Sequence, residues 1–386
     1  MSSAERLGGL ARFAEAELTQ HILPFWLRLR DPSGQGFAGA ADAAGRPDWA
    51  APRGAVVHGR ILWVFATAGA RYGQATWLEA AGAAWRFLAE RLYDQRRGGL
   101  AFSTVDGQKH LYVQAFGIYG LAAYARATGE TAALDLARSL YETVEERAGD
   151  SIYGGYFEAF DADWQLRPNA LMGFAPAQKS LNAHAHLIEA YAELYRAWPD
   201  PGLRERIAAL LGLLTGPAFD RESGTFRHFF QANWRVVSVL RSFGHDIEGA
   251  WLLPQIAALL GIEREIRNPL SGMAEMVRRQ AIEADGGLVD GPFDRRKSWW
   301  VQAEAAIGFL DAFEQTGEAV FLDAAEAVWR FIDRNLIDRA SGEWLAEPGA
   351  VQQPKVHLWK CPYHNGRACL ETMERVARLS KATIGS

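Results

Sequence analysis

Hydrophobic residues recur at helical spacing along nearly the whole chain. Trp77, Ala80, Ala81, Ala84, Trp85, Leu88 and Leu92 follow the i, i+3, i+4, i+7 rhythm of a helix with one buried face. The run before it, 61–72, is apolar around more of its circumference, which predicts a more deeply buried helix. The same pairing returns at 111–127 with 132–147, 181–198 with 203–214, 246–260 with 272–284, and 298–316 with 319–335. A last helix at 363–379 can pair with a first one near 4–18 and close a ring.

A second pattern punctuates the first. An acidic residue, a few polar residues, then glycine and an apolar or aromatic residue occur at Asp31, Asp94, Asp150, Asp220, Asp285 and Asp338, roughly 50 to 70 residues apart. These marks read as loops or short hairpin strands between one helix and the next. Six helical hairpins in a closed ring give an all-α (α/α)6 barrel, with an open helical solenoid as the rival. No Pro/Gly/Ser-rich linker or charge run divides the chain, so residues 1–386 are expected to form one domain.

Composition narrows the function. With 386 residues and 49% hydrophobic content, a large core is available. The net charge is −5, and the basic clusters Arg278-Arg279 and Arg295-Arg296-Lys297 are too short for a nucleic-acid stripe. Two cysteines, Cys361 and Cys369, fit a reducing compartment and not a disulfide scaffold. The first residues lack a signal-peptide pattern, and no uninterrupted apolar run is long enough to span a membrane. A soluble cytoplasmic protein is expected, without nucleic-acid or membrane partners. P-loop, G-x-G-x-x-G and G-x-S-x-G signatures are absent.

Candidate chemistry gathers in three stretches. In S-F-G-H-D-I-E-G-A-W-L-L (242–253), Gly244 reads as a hinge before a helix start, and His245 and Glu248 share a helix face at i and i+3. A carboxylate beside an imidazole fixes its tautomer and raises its basicity, which makes a proton-transfer group. In K-S-L-N-A-H-A-H-L-I-E (179–189), Asn182, His186 and Glu189 share one face, and His184 points elsewhere. The H-x-H spacing splays its ligands on a helix, so no metal is expected. In W-K-C-P-Y-H-N-G-R (359–367), Pro362 suits a helix start and places His364 in the first turn, where the helix dipole favours a neutral imidazole. Cys361 has no second C-x-x-C to complete a zinc site and reads as packing. Arg60, opening a buried helix, needs a partner or a cavity. Trp299 and Trp300 are adjacent, so one is expected to face a cavity and the other the core; Trp359 is another candidate platform. Glu248 and Glu304 also form a carboxylate pair of the kind glycoside hydrolases use, but Glu248 is better explained as the partner of His245.

Six ordered motifs carry a resemblance. They are R-I-L-W-V-F (60–65), L-Y-V-Q-A-F-G-I-Y-G-L (111–121), L-N-A-H-A-H-L-I-E-A-Y (181–191), F-G-H-D-I-E-G-A-W-L-L (243–253), W-W-V-Q-A-E-A (299–305) and W-K-C-P-Y-H-N-G-R-A-C-L-E (359–371). Over nearly its whole length the chain resembles the N-acylglucosamine 2-epimerase family of sugar epimerases and isomerases. Within it, G-H-D-I-E with W-K-C-P-Y-H-N-G-R is most like the cellobiose 2-epimerase branch. The resemblance implies an (α/α)6 barrel that needs neither cofactor nor metal and acts on a small carbohydrate. The substrate would be a cellobiose- or lactose-type β-1,4-linked disaccharide, epimerised at C2 of its reducing-end glucose, or a monosaccharide.

The same resemblance implies catalytic roles for His245, His364, His186 and Glu248. It implies substrate contacts from Arg60, Asn182, Trp300, Trp359, Tyr112 and Glu304. His58 is expected to be structural or at the rim. Mannose isomerase or N-acylglucosamine 2-epimerase activity on the same fold, a non-catalytic carbohydrate-binding toroid and a glycoside hydrolase are the alternatives. Monomer and homodimer are both compatible with the sequence.

Overall fold

The computed structural model describes residues 2–170 and 174–384. Its helices are α1 (Ser3–Ala16), α2 (Leu23–Arg28), α3 (Ala55–Tyr72), α4 (Ala75–Phe87), α5 (Leu111–Thr128), α6 (Thr131–Arg147), α7 (Leu181–Ala197), α8 (Pro201–Thr215), α9 (Phe243–Ala258), α10 (Glu263–Leu270), α11 (Met273–Ala281), α12 (Trp299–Thr316), α13 (Ala319–Asn335) and α14 (Tyr363–Ile384). Helices α3, α5, α7, α9, α12 and α14 each pack against the next, and α14 packs back on α3, so the ring closes. Around them stand α4, α6, α8, the pair α10 and α11, α13, and α1, which packs on α14. This is the (α/α)6 barrel, with the first and last helices forming the closing hairpin.

The inner ring is buried nearly all round, as its sequence requires; α3 keeps every residue from Ala55 to Ala66 out of solvent. Glycine sets the closest approach within the ring. A Cβ on Gly59 would stand 2.3 Å from the Phe116 carbonyl oxygen, and one on Gly120 would stand 2.4 Å from that of Gly59, so α3 and α5 touch backbone to backbone.

The six acidic marks are one structural device repeated. Each aspartate (Asp31, Asp94, Asp150, Asp220, Asp285, Asp338) accepts the backbone N–H two residues on, closing a tight turn. Each is also paired with a cation from the segment ahead of an inner helix: Arg53, Lys109, Lys179, Arg227, Lys297 and Lys355. The apolar residue closing five of the marks gives its N–H to a side chain four residues after an inner-helix N-cap. Phe37 donates to His58, Leu100 to Gln114, Tyr156 to His184, Phe226 to Asp246 and Leu288 to Gln302, over 2.7–3.1 Å. At the sixth, Asn365 donates to the Glu343 carboxylate that also takes the Trp344 N–H. These bonds pin the loops to the N-terminal ends of the inner helices. They also identify His58 and His184 as structural.

Two boundaries differ from the sequence reading. The first helix does not stop at Leu18: it passes through a π-helical turn, Glu17–Ile22, into α2. Glu17 is buried there and accepts from the indole of Trp344 while bonding His21, a long-range anchor that hydrophobic spacing does not report. The outer helix expected at 272–284 is the shorter α11, and a further short helix, α10, precedes it across a break at Ser271 and Gly272, the latter with φ +87°. No helix among the described residues is long and apolar enough to cross a membrane.

Candidate active site

A cavity of about 220 Å3 opens at the N-terminal ends of the inner helices, lined by Arg60, Tyr112, Asn182, His186, His245, Glu248, Trp299, Trp300, Trp359 and His364. Helix geometry explains the convergence. Tyr112 and Asn182 are the second residues of α5 and α7, Trp299 and Trp300 open α12, and His364 is the second residue of α14. The inner helices thus aim their first two turns at one mouth. Both indoles of the Trp299–Trp300 pair line the cavity, where one of them had been expected in the core.

His245 is held differently from the sequence expectation. Ser242 caps α9 by accepting the His245 N–H at 3.3 Å, and its hydroxyl also lies 2.9 Å from His245 Nδ1. The Glu248 carboxylate instead accepts from Arg367. The i, i+3 spacing does put both side chains on one face, but a buried guanidinium outcompetes a neutral imidazole for the carboxylate. Gly244 is no hinge either. It sits inside α9, and a Cβ there would come 2.5 Å from the Trp300 ring, so the glycine makes room for that indole.

The other two histidines carry the carboxylate partners. His364 Nδ1 lies 2.7 Å from Glu304 Oε1, and His186 Nδ1 lies 3.1 Å from Glu189 Oε2. Glu304 therefore sits behind His364 and not in the cavity lining. Burial, with His228 and His186 nearby, holds the His245 imidazole well below its ordinary range. Burial, Arg60 and Arg367 do the same for His364, so the neutrality expected from the helix dipole has other main causes. Burial and the Glu248 charge push the Glu304 carboxyl up to about 8, against the pull of Arg367.

Arg60 spans the floor. It donates to Tyr112 Oη at 2.6 Å and to the Trp359 carbonyl at 3.3 Å, and its guanidinium lies over the Phe116 ring. The indole of Trp300 stands between two histidines, with ring centroids 4.9 Å from His245 and 5.8 Å from His364. Sequence reasoning missed Arg367 as a site residue, although the 359–367 motif contains it. Arg60 was legible because it opens an apolar helix, whereas Arg367 lies in a stretch of mixed polarity that gives no such signal.

Among the described residues, Glu248, Glu304 and His364 are close enough together to hold a metal ion. Arg367 already places its guanidinium against both carboxylates, 2.7 Å from Glu304, so a metal ion there would have to bind beside a resident cation. Cys361 is buried with its sulfur 3.8 Å from Arg60 Nη1 and takes no part in this group.

Comparison with known proteins agrees with this architecture. Residues 36–368 match the family model of N-acylglucosamine 2-epimerase. The chain is 36% identical over 381 residues to the cellobiose 2-epimerase of Ruminococcus albus, covering 93% of this chain and 97% of that one. The solved structure of the cellobiose 2-epimerase from Bacillus thermoamylovorans B4167 superposes with a TM-score of 0.91 at 33% identity, over 95% of this chain and all of the other. That from Spirochaeta thermophila DSM 6192 gives 0.88 at 36% identity, over 97% and 98%. The chain belongs to the N-acylglucosamine 2-epimerase family and is a sugar epimerase or isomerase.

Proposed function

We propose that the chain is a cellobiose 2-epimerase-like enzyme, acting on the reducing-end glucose of β-1,4-linked disaccharides. One observation carries the chemistry: three histidines, an arginine and an asparagine line a single cavity walled by three indoles. A cavity of about 220 Å3 suits one sugar ring, below the roughly 300–1,000 Å3 of sites for drug-sized ligands. The second ring of a disaccharide would then lie outside it, at the rim.

The mechanism begins with ring opening, in which His186 passes a proton between O1 and O5. The C2 hydrogen is then acidic because it lies α to the C1 aldehyde. A base removes it, and the electron pair moves through C1 to leave charge on O1, giving an enediolate. Arg60, Asn182 and His186 donate to O1 and O2 as that charge develops. Delivery of a proton to the opposite face of C2 reforms the aldehyde with inverted configuration, and the ring closes. Epimerisation therefore needs one group ready to accept a proton and another ready to give one. His245, neutral and engaged at Nδ1 by Ser242, has Nε2 for the first task. Glu304, its carboxyl raised to about 8 by burial, can back His364 Nδ1 with a proton, so that His364 suits the second. In the reverse reaction the two exchange roles. Trp300 and Trp359 would stack on the sugar ring, and Glu248 would accept from one of its hydroxyls.

Incubation with cellobiose, mannose and N-acetylglucosamine in parallel, with product chromatography, tests the assignment. Glucosyl-mannose from cellobiose is the expected product. A ketose from mannose with cellobiose untouched would make the enzyme an isomerase, and turnover of N-acetylglucosamine alone would make it the N-acyl epimerase. Free glucose from cellobiose would make it a hydrolase.

A further inference from the structure

The fourth turn-mate of Tyr363 on α14, Arg367, lies beneath the cavity and is almost wholly buried. Its Nη1 donates to Glu189 Oε1 at 2.5 Å and to the Tyr363 hydroxyl, and its Nη2 meets both Glu248 and Glu304. Its planar group is stacked over the rings of Tyr363 and Trp251 at 4.4 and 5.0 Å. Glu189 is the carboxylate that holds His186, and Glu304 is the one that holds His364. Glu248 lines the cavity itself. These three carboxylates come from α7, α9 and α12, so one guanidinium joins four inner helices at the point where the reacting groups are hung.

We propose that Arg367 is a positioning residue for proton transfer: a single fork that fixes the carboxylates behind His186 and His364 and sets how tightly the His364–Glu304 pair holds its proton. The inference rests on the roles given to His186 and His364 above. The second buried arginine of α14 shows the contrast. Arg375 binds Asp311, Glu314 and Gln255, none of which lines the cavity, and it ties helices together without reaching the histidines.

Electrostatics gives the fork a direction of effect. Glu304 faces Arg367 and His364 from α14, Glu248 from α9 and Glu189 from α7, and His364 also faces Arg60, His186 and His245. One cation against three carboxylates leaves excess negative charge, which favours keeping a proton on the pair. Removing the guanidinium increases that excess and must raise the pH at which the proton leaves. A lysine keeps the charge but, as a point charge on a flexible stem, cannot reproduce the two-pronged contact.

The test is the pH profile of kcat, with the side-chain NMR titration of His364, for wild type, Arg367→Met, Arg367→Lys and the control Arg375→Lys. For Arg367→Met, kcat is expected to fall on the order of a hundredfold, with the alkaline limb displaced upward and KM little changed. Arg367→Lys is expected to lose less and to shift the limb less, and it decides the matter if the methionine variant fails to fold. Arg375→Lys should lower thermal stability without moving the limb. An unmoved limb and an unmoved His364 titration in Arg367→Lys would overturn the proposal, as would a change confined to KM. If the wild type turns over no sugar, the proposed function fails. The His364 titration still decides whether Arg367 controls the pair.

Discussion

Nδ1 of His364 and Oε1 of Glu304 lie 2.7 Å apart across two adjacent inner helices, α14 and α12. Both groups are buried, and burial raises the Glu304 carboxyl to about 8, so below that pH its proton lies between it and His364. If this proton is the one delivered to C2, activity falls as pH rises through about 8. The acid limb reports His245, whose lowered value keeps it a base well below the usual histidine range near 6.5. Glu304→Gln should abolish the alkaline limb and cost roughly 10²–10⁴ in kcat, read from the pH dependence of epimerisation.

Ser242 has two tasks, and a single substitution separates them. As N-cap of α9 it stabilises the helix by about 1 kcal/mol; as the partner of His245 Nδ1 it holds the orientation of the proposed base. Ser242→Ala should lower Tm modestly and lower kcat by more than the lost stability explains. Ser242→Gly should recover most of the stability and none of the activity.

His184 and His186 are two residues apart and have opposite fates. His184 Nε2 accepts the Tyr156 N–H, the job Gln114 and Gln302 do at equivalent places in the ring. His184→Gln is therefore expected to fold and turn over near wild type, whereas His184→Ala leaves a buried N–H unpaired and costs roughly 1–3 kcal/mol. His186→Gln should fold normally and lose activity. Denaturant melts and turnover of the three variants check the contrast.

At the fourth place in the ring the same job falls to an acid. Asp246 accepts the Phe226 N–H through Oδ1, while Oδ2 is buried without a partner, and burial pushes its carboxyl up to about 7. An unfolded aspartate titrates near 3.9. Between the two values the folded protein binds more protons, so stability falls as pH rises through this window and stays lower above it. Asp246→Asn keeps the acceptor and removes the charge. It should be more stable than wild type at pH 8, with the difference vanishing towards about pH 4, as read from urea unfolding at several pH values.

Much of this was legible in the residue order. The helical pairs emerged because both faces of the inner helices are apolar, and the ring closed because the first and last segments both read as helices. The acidic marks were visible as a repeat, but their purpose was not. That Asp94 needs Lys109 and that Leu100 needs Gln114 becomes apparent only when the hairpins are folded together. Nine of the ten candidate site residues line one cavity, and the tenth, Glu304, stands directly behind it. Local spacing put Glu189 with His186 on one face of α7, where the two bond, but its pairing of Glu248 with His245 failed. The actual partner of His364 is 60 residues away, and the competitor for Glu248 is 119 residues away. Helical periodicity ranks neighbours on one helix; it does not report which neighbouring helix brings the stronger charge.

In the proposed mechanism C2 loses and regains a proton between His245 and His364. Proton NMR of the purified enzyme with cellobiose in D2O tests it most directly, with His245→Ala and His364→Ala alongside. Deuterium is expected at C2 of a glucosyl-mannose product with wild type, with loss of turnover in both variants while their folds persist. Epimerisation that leaves C2 fully protonated, or near-normal turnover in either variant, would contradict it.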